Sequence, residues 1–283
     1  MLKHDDKGKV TDISELKKIA IEIRKNCITQ VVSANSGHTG GSLGLADIFT
    51  ALFFNVMDYD KKKKDRFVLS NGHVSPVLYA TFAEKGLIKK EELKTFRKLG
   101  SRLQGHPSIH DLPELVEISA GSLGQGFGVS CGIALSMKRD NSKYRVYVGL
   151  GDGELQEGSI WEAAMFAGNY DLDNLTAYID RNYLQQAGKT EDMMKLEPLA
   201  DKWKAFGWHV ISADGNSFKE IIDAYDEAKK TKGKPTMIIF KTIMGKGVPF
   251  LEDDFQWHGK APSKEQAEQA IKILDAQKLE AQK

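Results

Sequence analysis

The chain has 283 residues, 41% apolar and 28% charged, which suits a folded α/β protein of one broad domain or two small ones and excludes disorder and collagen-like structure. Forty basic against thirty-nine acidic side chains leave a net charge of +1, so no bulk field draws the chain to nucleic acid or an anionic membrane, and a bound anion has to be met locally. Cys27 and Cys131 are too far apart in sequence for a Cys-x-x-Cys zinc or redox pair and read as buried thiols of a reducing compartment. The opening residues 1–9 are charged where a secretory leader needs an apolar run, and they lack the arginine-rich, acid-poor character of an organelle leader. The longest apolar stretch, 48–57, is about half of the roughly 20 residues a spanning helix needs. The expectation is a cytoplasmic protein with no membrane segment.

In chain order, apolar residues at Ile13, Leu16, Ile19, Ala20, Ile23, Cys27 and Val31 recur near every 3.6 positions and predict a helix over 13–32. It leads into a glycine-rich loop, 35–44, and a second apolar helix over 45–55 with Asp47 in its first turn. A polar segment, 58–65, with four consecutive lysines reads as a solvated turn. Residues 66–70 read as a short buried strand ending at Asn71-Gly-His73. A second glycine-rich loop, 119–128, opens a small-residue helix reaching about Met137. The β-branched and aromatic run 144–150 is a strand that stops at Gly151-Asp-Gly153, followed by a helical stretch, 154–169, and a strand over 174–180. Strands at 209–213 and 236–242 flank a helix over 218–230.

Strand, helix and strand joined by short loops are the pattern of right-handed crossovers in a parallel sheet. The expected fold class is therefore α/β, a doubly wound parallel sheet with helices on both faces. Residues 1–260 are taken as one domain and 261–283 as a helix-prone tail.

In an open parallel sheet, ligands bind beyond the carboxyl ends of the strands, where loops and helix N-termini present unpaired N–H groups. The two best strands carry Asp152 and Asn182, thirty residues apart, each just past its strand end. A hard divalent cation such as magnesium takes a few oxygen ligands from protein and the rest from phosphates and water. Asp152, Asn182 and a nearby backbone carbonyl suit that role, and Gly151 and Gly153 let the backbone approach a diphosphate. Gly-Asp-Gly alone is a common turn; the weight lies in the joint placement. Of seven histidines, His38, His73, His106 and His258 adjoin glycine, which presents imidazoles on permissive backbone where they can exchange protons. Their spacing does not suit a zinc site. His4, His110 and His209 read as surface or packing residues.

The Gly-Asp-Gly-Glu run with Asn182 thirty residues on resembles a thiamine diphosphate and metal motif. With it, Asn35-Ser-Gly-His38, Leu69-Ser-Asn-Gly-His73, Gly105-His-Pro107, Gly121-Ser-Leu-Gly-Gln-Gly126, Leu155-Gln-Glu-Gly158 and Trp257-His-Gly259 resemble the N-terminal half of a transketolase, in order, up to about residue 260. The resemblance makes residues 1–260 a thiamine diphosphate- and metal-binding domain. It implies a metal, Mg2+ or else Ca2+ or Mn2+, held by Asp152, Asn182 and the carbonyl of Leu184. It implies that His73, His258 and Gly153 approach the diphosphate, that Gly121 and Leu123 lie against the aminopyrimidine, and that His38, His106 and His258 are catalytic at the sugar. Glu157 and Glu162 are implied at a subunit interface. Thr39 stands where that family often has proline, and Ser122 replaces the proline of a usual Pro-Leu-Gly; both bear on loop rigidity.

In that family a second domain supplies the glutamate that activates the cofactor, and a third follows; this sequence contains neither. The implied protein is the N-terminal subunit of a split transketolase, moving a two-carbon ketol unit between sugar phosphates with a separate C-terminal subunit, two copies of each. Alternatives are a subunit of a deoxyxylulose-phosphate synthase-like enzyme or a 2-oxo acid dehydrogenase, or a non-catalytic cofactor-binding protein. A nucleotide-binding oxidoreductase is disfavoured, because neither glycine-rich loop has Gly-x-Gly-x-x-Gly spacing and Gly245-Lys-Gly lacks a full P-loop pattern.

Overall fold

The computed structural model describes residues 8–59 and 64–281. Most of the opening segment weighed above as a leader, His4 and three of the four consecutive lysines lie outside them. Three helices come first, α1 (Ile13–Ala34), α2 (Thr39–Gly44) and α3 (Ala46–Ala51), followed by β1 (Arg66–Leu69) and α4 (Ser75–Glu84). Then come α5 (Gln125–Arg139), β2 (Val146–Gly151), α6 (Gly158–Asn169), β3 (Leu175–Arg181), a small hairpin β4 (Leu184–Gln185) and β5 (Gly188–Lys189), and α7 (Thr190–Met193). The chain closes with α8 (Leu199–Ala205), β6 (His209–Asp214), α9 (Phe218–Lys230), β7 (Thr236–Lys241) and α10 (Lys264–Glu280).

The main sheet has the order β1-β2-β3-β7-β6, all parallel. Its side chains alternate between two cores, as a strand period of two requires. Phe67, Leu69, Tyr147, Tyr178, Ile238 and Phe240 face the layer that contains α1, α3, α4 and α9. Val68, Val148, Ala177, Ile179 and Met237 face the layer of α5, α6 and α8, where Phe127, Trp203 and Trp208 stack edge to face. Each fully buried large side chain contributes on the order of 1.5–3 kcal/mol, so the two layers together carry the fold. The architecture is the doubly wound α/β sheet that the strand and helix pattern implies.

Three local expectations are corrected. The glycine-rich run after α1 is not all loop: residues 39–44 are the helix α2, buried throughout. A Cβ on Gly40, Gly41 or Gly44 would come within 2.7–2.9 Å of Met244, Val74 or the carbonyl of Ile243, so these glycines serve helix packing. The helix expected over 45–55 is broken as well, with α3 passing into a wider π turn at Leu52–Val56. The carbonyls of Phe53 and Val56 there are satisfied by the ammonium groups of Lys85, Lys9 and Lys229. Finally, Lys64 is not solvated: it is buried, donates to the carbonyl of Glu114 and lies 3.5 Å from Glu117.

The helix-prone tail forms α10, which starts at a capping box of Ser263 and Gln266 and packs Ala267, Ala270 and Leu274 into the same core as α1. Both cysteines are buried and free. Among the described residues, no helix is long and apolar enough to cross a membrane.

Gly168, near the end of α6, gives a test of the packing. A Cβ there would sit 1.9 Å from the carbonyl oxygen of Phe206, whereas one on Gly128 in α5 would meet nothing within 4 Å. In urea denaturation of the isolated chain, Gly168→Ala is expected to cost at least about 2 kcal/mol, and Gly128→Ala to be neutral or to stabilise by up to about 1 kcal/mol.

Candidate functional site

The β2–β3 pairing sets Gly151 opposite Asp180, so the residues leaving both strands emerge side by side at one edge of the sheet. Asp152 caps a short 3-10 turn, Gly153–Gln156, and its Oδ1 accepts the Gly153 N–H at 2.8 Å. Its Oδ2 reaches across to the second strand end, accepting the Tyr183 N–H at 2.7 Å and Nη1 of Arg181 at 3.1 Å. Tyr183 has a left-handed backbone, φ 64, which turns the chain tightly after Asn182. The Asn182 amide is fixed at both ends: Nδ2 donates to Asp180 at 2.9 Å, and Oδ1 accepts the Leu184 N–H at 2.9 Å. The helical stretch expected over 154–169 is divided: the 3-10 turn comes first and α6 begins only at Gly158.

Asp152, Asn182, Leu184 and Gly153 line one cavity of about 220 Å³ with His73, Leu123 and His258, and Glu157 stands at its rim. Imidazoles from three separate turns converge there. Ring centroids are 4.8 Å apart for His38 and His73, and 5.5 Å for each of these with His258. His106 packs against the backbone of Gly121, 3.6 Å from where a Cβ would stand. Glu162 lies on the exposed surface of α6, and Glu157 immediately precedes that helix. His209 pairs with Glu227 at 2.8 Å and His110 is exposed. A larger cavity, about 640 Å³, opens at the ends of β6 and β7, but it contains none of the four clustered histidines and neither Asp152 nor Asn182.

Burial dominates the electrostatics. It pushes the Asp152 carboxyl up to about 7, helped by neighbouring Asp180 and opposed by Arg181 and the Tyr183 N–H. Asp180 is pushed up to about 6 by burial despite hydrogen bonds from Thr242 and Asn182. Among the histidines, burial lowers His38 to about 4, reinforced by His258, Arg97 and His106. It also lowers His73, His106 and His258. The imidazoles are therefore neutral at pH 7, each with a nitrogen free to accept a proton.

Several supporting residues escape the sequence reading. Glu154 is buried and accepts from the Ser70 hydroxyl at 2.5 Å, the Gly124 N–H at 2.8 Å and the Gly151 N–H at 3.0 Å, bolting together β1, β2 and the second glycine-rich loop. Arg181, 1% exposed, joins Asp152 to Thr190, Glu191 and Glu197. Only the bare Asp-x-Asn and Gly-Asp-Gly-Glu patterns hint at Asp180 and Glu154. Nothing local marks Arg181.

The cavity fits a diphosphate cofactor held through a hard cation. Its candidate cation donors are all oxygens, a carboxylate, a carboxamide and a backbone carbonyl. Asn71 Oδ1, on the cavity wall, and His38 Nδ1, in the histidine cluster, are buried without hydrogen-bond partners. Such orphaned groups call for a ligand. Among the described residues, no group of three or more histidine, cysteine or carboxylate side chains is placed to hold a metal. A cation here would therefore rely on the mixed donor set.

Comparison with known proteins gives concordant matches. Residues 16–279 match the family described as transketolase, thiamine diphosphate binding domain. The chain is 43% identical over 254 residues to one of the subunits of the apulose-4-phosphate transketolase of Phocaeicola vulgatus, covering 88% of this chain and 90% of that one. It is 41% identical over 266 residues to 6-deoxy-6-sulfo-D-fructose transketolase subunit SqwG of a Clostridium species, covering 92% and 96%. Human transketolase is 42% identical over 271 residues, but this chain spans only 43% of its length. A crystal structure of transketolase from Pichia stipitis superposes with a TM-score of 0.85 at 37% identity, over 94% of this chain and 41% of that one.

The histidine cluster predicts a pH signature. His38 and His73 bind protons more weakly in the folded chain than in the unfolded one, whose imidazoles titrate near 6.5. Their contribution to stability is therefore present above that value and is lost as pH falls toward 4. The buried carboxyls Asp152 and Asp180 act in the opposite sense, so the test is a difference. Between pH 7 and 4, melting temperature should fall more steeply for the parent chain than for His38→Gln or His73→Gln. Parallel curves would contradict the burial of neutral imidazoles.

Proposed function

Because the chain belongs to the transketolase thiamine diphosphate-binding domain family, we propose that it is the N-terminal subunit of a split transketolase. In this reading it transfers a two-carbon ketol unit from a ketose phosphate to an aldose phosphate. It acts with a separate C-terminal subunit, as a heterotetramer with two copies of each, in the pentose phosphate chemistry of the cytoplasm. The observation that carries the proposal is the convergence of Asp152, Asn182 and Leu184 with four neutral histidines at one end of the sheet. Two relatives named as subunits, each matched over at least 90% of its own length, support the split.

The surface supports a multichain assembly. On the α5–α6 layer, Val129, Met165, Phe166 and Tyr170 are exposed, while Gly128, Gly132 and Gly158 offer backbone open to close approach. Glu157 and Glu162 border this face. Met193 and Met194, beyond the β4–β5 hairpin, and Phe255, just before His258, are also exposed apolar groups for a partner to cover.

When bound, thiamine diphosphate supplies the carbon nucleophile and the electron sink for carbon–carbon cleavage. The protein positions and exchanges protons. Asp152, the Asn182 Oδ1 and the Leu184 carbonyl would hold Mg2+, with Asp180 fixing the amide so that its oxygen faces inward. His73, His258 and Gly153 would meet the diphosphate. Gly121 and Leu123 would lie against the aminopyrimidine. His38 and His258 would take the proton from the donor hydroxyl beside the scissile bond, and His106 would hold the transferred unit.

Reconstitution with a candidate C-terminal chain should give ketol transfer from a pentose phosphate donor that requires thiamine diphosphate and Mg2+, without consumption of pyruvate. A product that requires pyruvate, or no cofactor binding at all, would contradict the reading. In the assembled enzyme, His38→Ala or His258→Ala should lower kcat by roughly 10²- to 10⁴-fold while changing cofactor affinity little. Asp152→Ala should abolish metal-dependent cofactor binding, read by calorimetry.

A further inference from the structure

The loops that carry His38 and His106 are far apart in sequence and meet over one side chain, that of Arg97. Its backbone is left-handed, φ 58, and its N–H is bonded to the Leu103 carbonyl at 2.9 Å, so a tight turn holds the side chain inward. Nη1 donates to the hydroxyl of Ser36 at 2.7 Å, two residues before His38. The guanidinium lies against Gly105, the residue before His106. A Cβ on Gly105 would come 2.6 Å from Nε and 2.9 Å from the central carbon, so the slot exists only because residue 105 is glycine. Phe96 forms the floor, with the guanidinium carbon 5.5 Å from its ring centroid. The Arg97 Nε is buried without a hydrogen-bond partner. Among the described residues, no carboxylate pairs with the guanidinium. A cation has been fixed in place without a counter-ion, next to two imidazoles.

We propose that Arg97 is a positioning residue for ketol transfer: it clamps the His38 and His106 loops in a single geometry and sets a fixed positive charge beside those two imidazoles alone. This rests on the transketolase reading above. The titratable and charged groups facing His38 are His73, His106, His258 and Arg97, and His106 faces Arg97 and the same cluster. Arg97 acts on His38 and His106, second to burial at His106, whereas burial alone acts on His258. That difference supplies an internal reference. With a positive neighbour the two imidazoles stay neutral, so that His38 accepts a proton and His106 a hydrogen bond from the sugar hydroxyls, and the rigid clamp holds both in place.

The test uses Arg97→Gln and Arg97→Lys in the full-length chain. First, the histidine rings are titrated by NMR without partner or cofactor. In Arg97→Gln the His38 and His106 midpoints should rise by about half a pH unit or more while His258 stays in place; Arg97→Lys, which keeps the charge, should leave all of them near their parent values. Second, in the reconstituted enzyme, Arg97→Gln should lower kcat by roughly ten- to hundredfold, with cofactor affinity held within about twofold. If no midpoint moves, if all four move together, or if kcat is unchanged, the proposal is overturned. Should Arg97→Gln fail to fold, Ser36→Ala removes the clamp's hydrogen bond, and an unchanged kcat there would mark Arg97 as structural only. The NMR titration needs no activity, so a chain that performs no ketol transfer with any partner would refute the functional reading while the role of Arg97 was still decided.

Discussion

The parallel register of β2 on β3 is the constraint on which the site depends. Gly151 stands opposite Asp180, and each strand then leaves the sheet through a tight turn, so a carboxylate from one and a carboxamide from the other meet without help from side-chain flexibility. A slip of one residue would turn Asp180 away from Thr242 and reverse the two cores. The sheet therefore specifies the site with the same alternation that specifies the interior. Val148 and Ile179 on one face, and Tyr147 and Tyr178 on the other, fix the register that aligns the ligand-bearing ends.

Around those ends the chain concentrates buried charge. Asp152, Asp180 and Glu154 are each about 2% exposed, and burial raises all three. Arg181 compensates only in part, because its guanidinium is shared with Glu191 and Glu197. A divalent cation in contact with Asp152 would favour the ionised carboxylate and offset the cost of its burial. On the other side of the same cavity stand His73 and His258, with His38 packed against both, and no carboxylate is among the groups that shift these imidazoles. The site thus has an oxygen-rich half that suits a metal diphosphate and a nitrogen-rich half that suits hydroxyl groups, and the two meet at His73 and His258.

Most of the architecture was legible in the sequence because the central strands are short, β-branched and bounded by glycine, asparagine or aspartate. The helix Phe218–Lys230 has the bounds that its amphipathic pattern implies. Where the reading failed, packing had overridden local propensity. Glycines 40, 41 and 44 read as loop, yet they form a helix because neighbouring side chains and backbone leave no room for a Cβ. The helix α4, buried along almost its whole length, shows too little periodicity to stand out. Asp152, Asn182 and the glycine-flanked histidines were visible because their chemistry sits in short motifs. Glu154, Arg181 and Arg97 were not, because their partners lie on other elements and only the tertiary fold brings them together.

The central claim, that two adjacent strand ends form one cation site for a diphosphate cofactor, is tested most directly by anomalous diffraction from crystals of the chain grown with Mn2+ and thiamine diphosphate. One manganese peak is expected, bonded to the carboxylate of Asp152, Oδ1 of Asn182 and the carbonyl of Leu184, at about 2.1–2.3 Å, with the diphosphate completing its shell. A manganese peak on other residues, or a diphosphate seated in the larger cavity beyond β6 and β7, would contradict it.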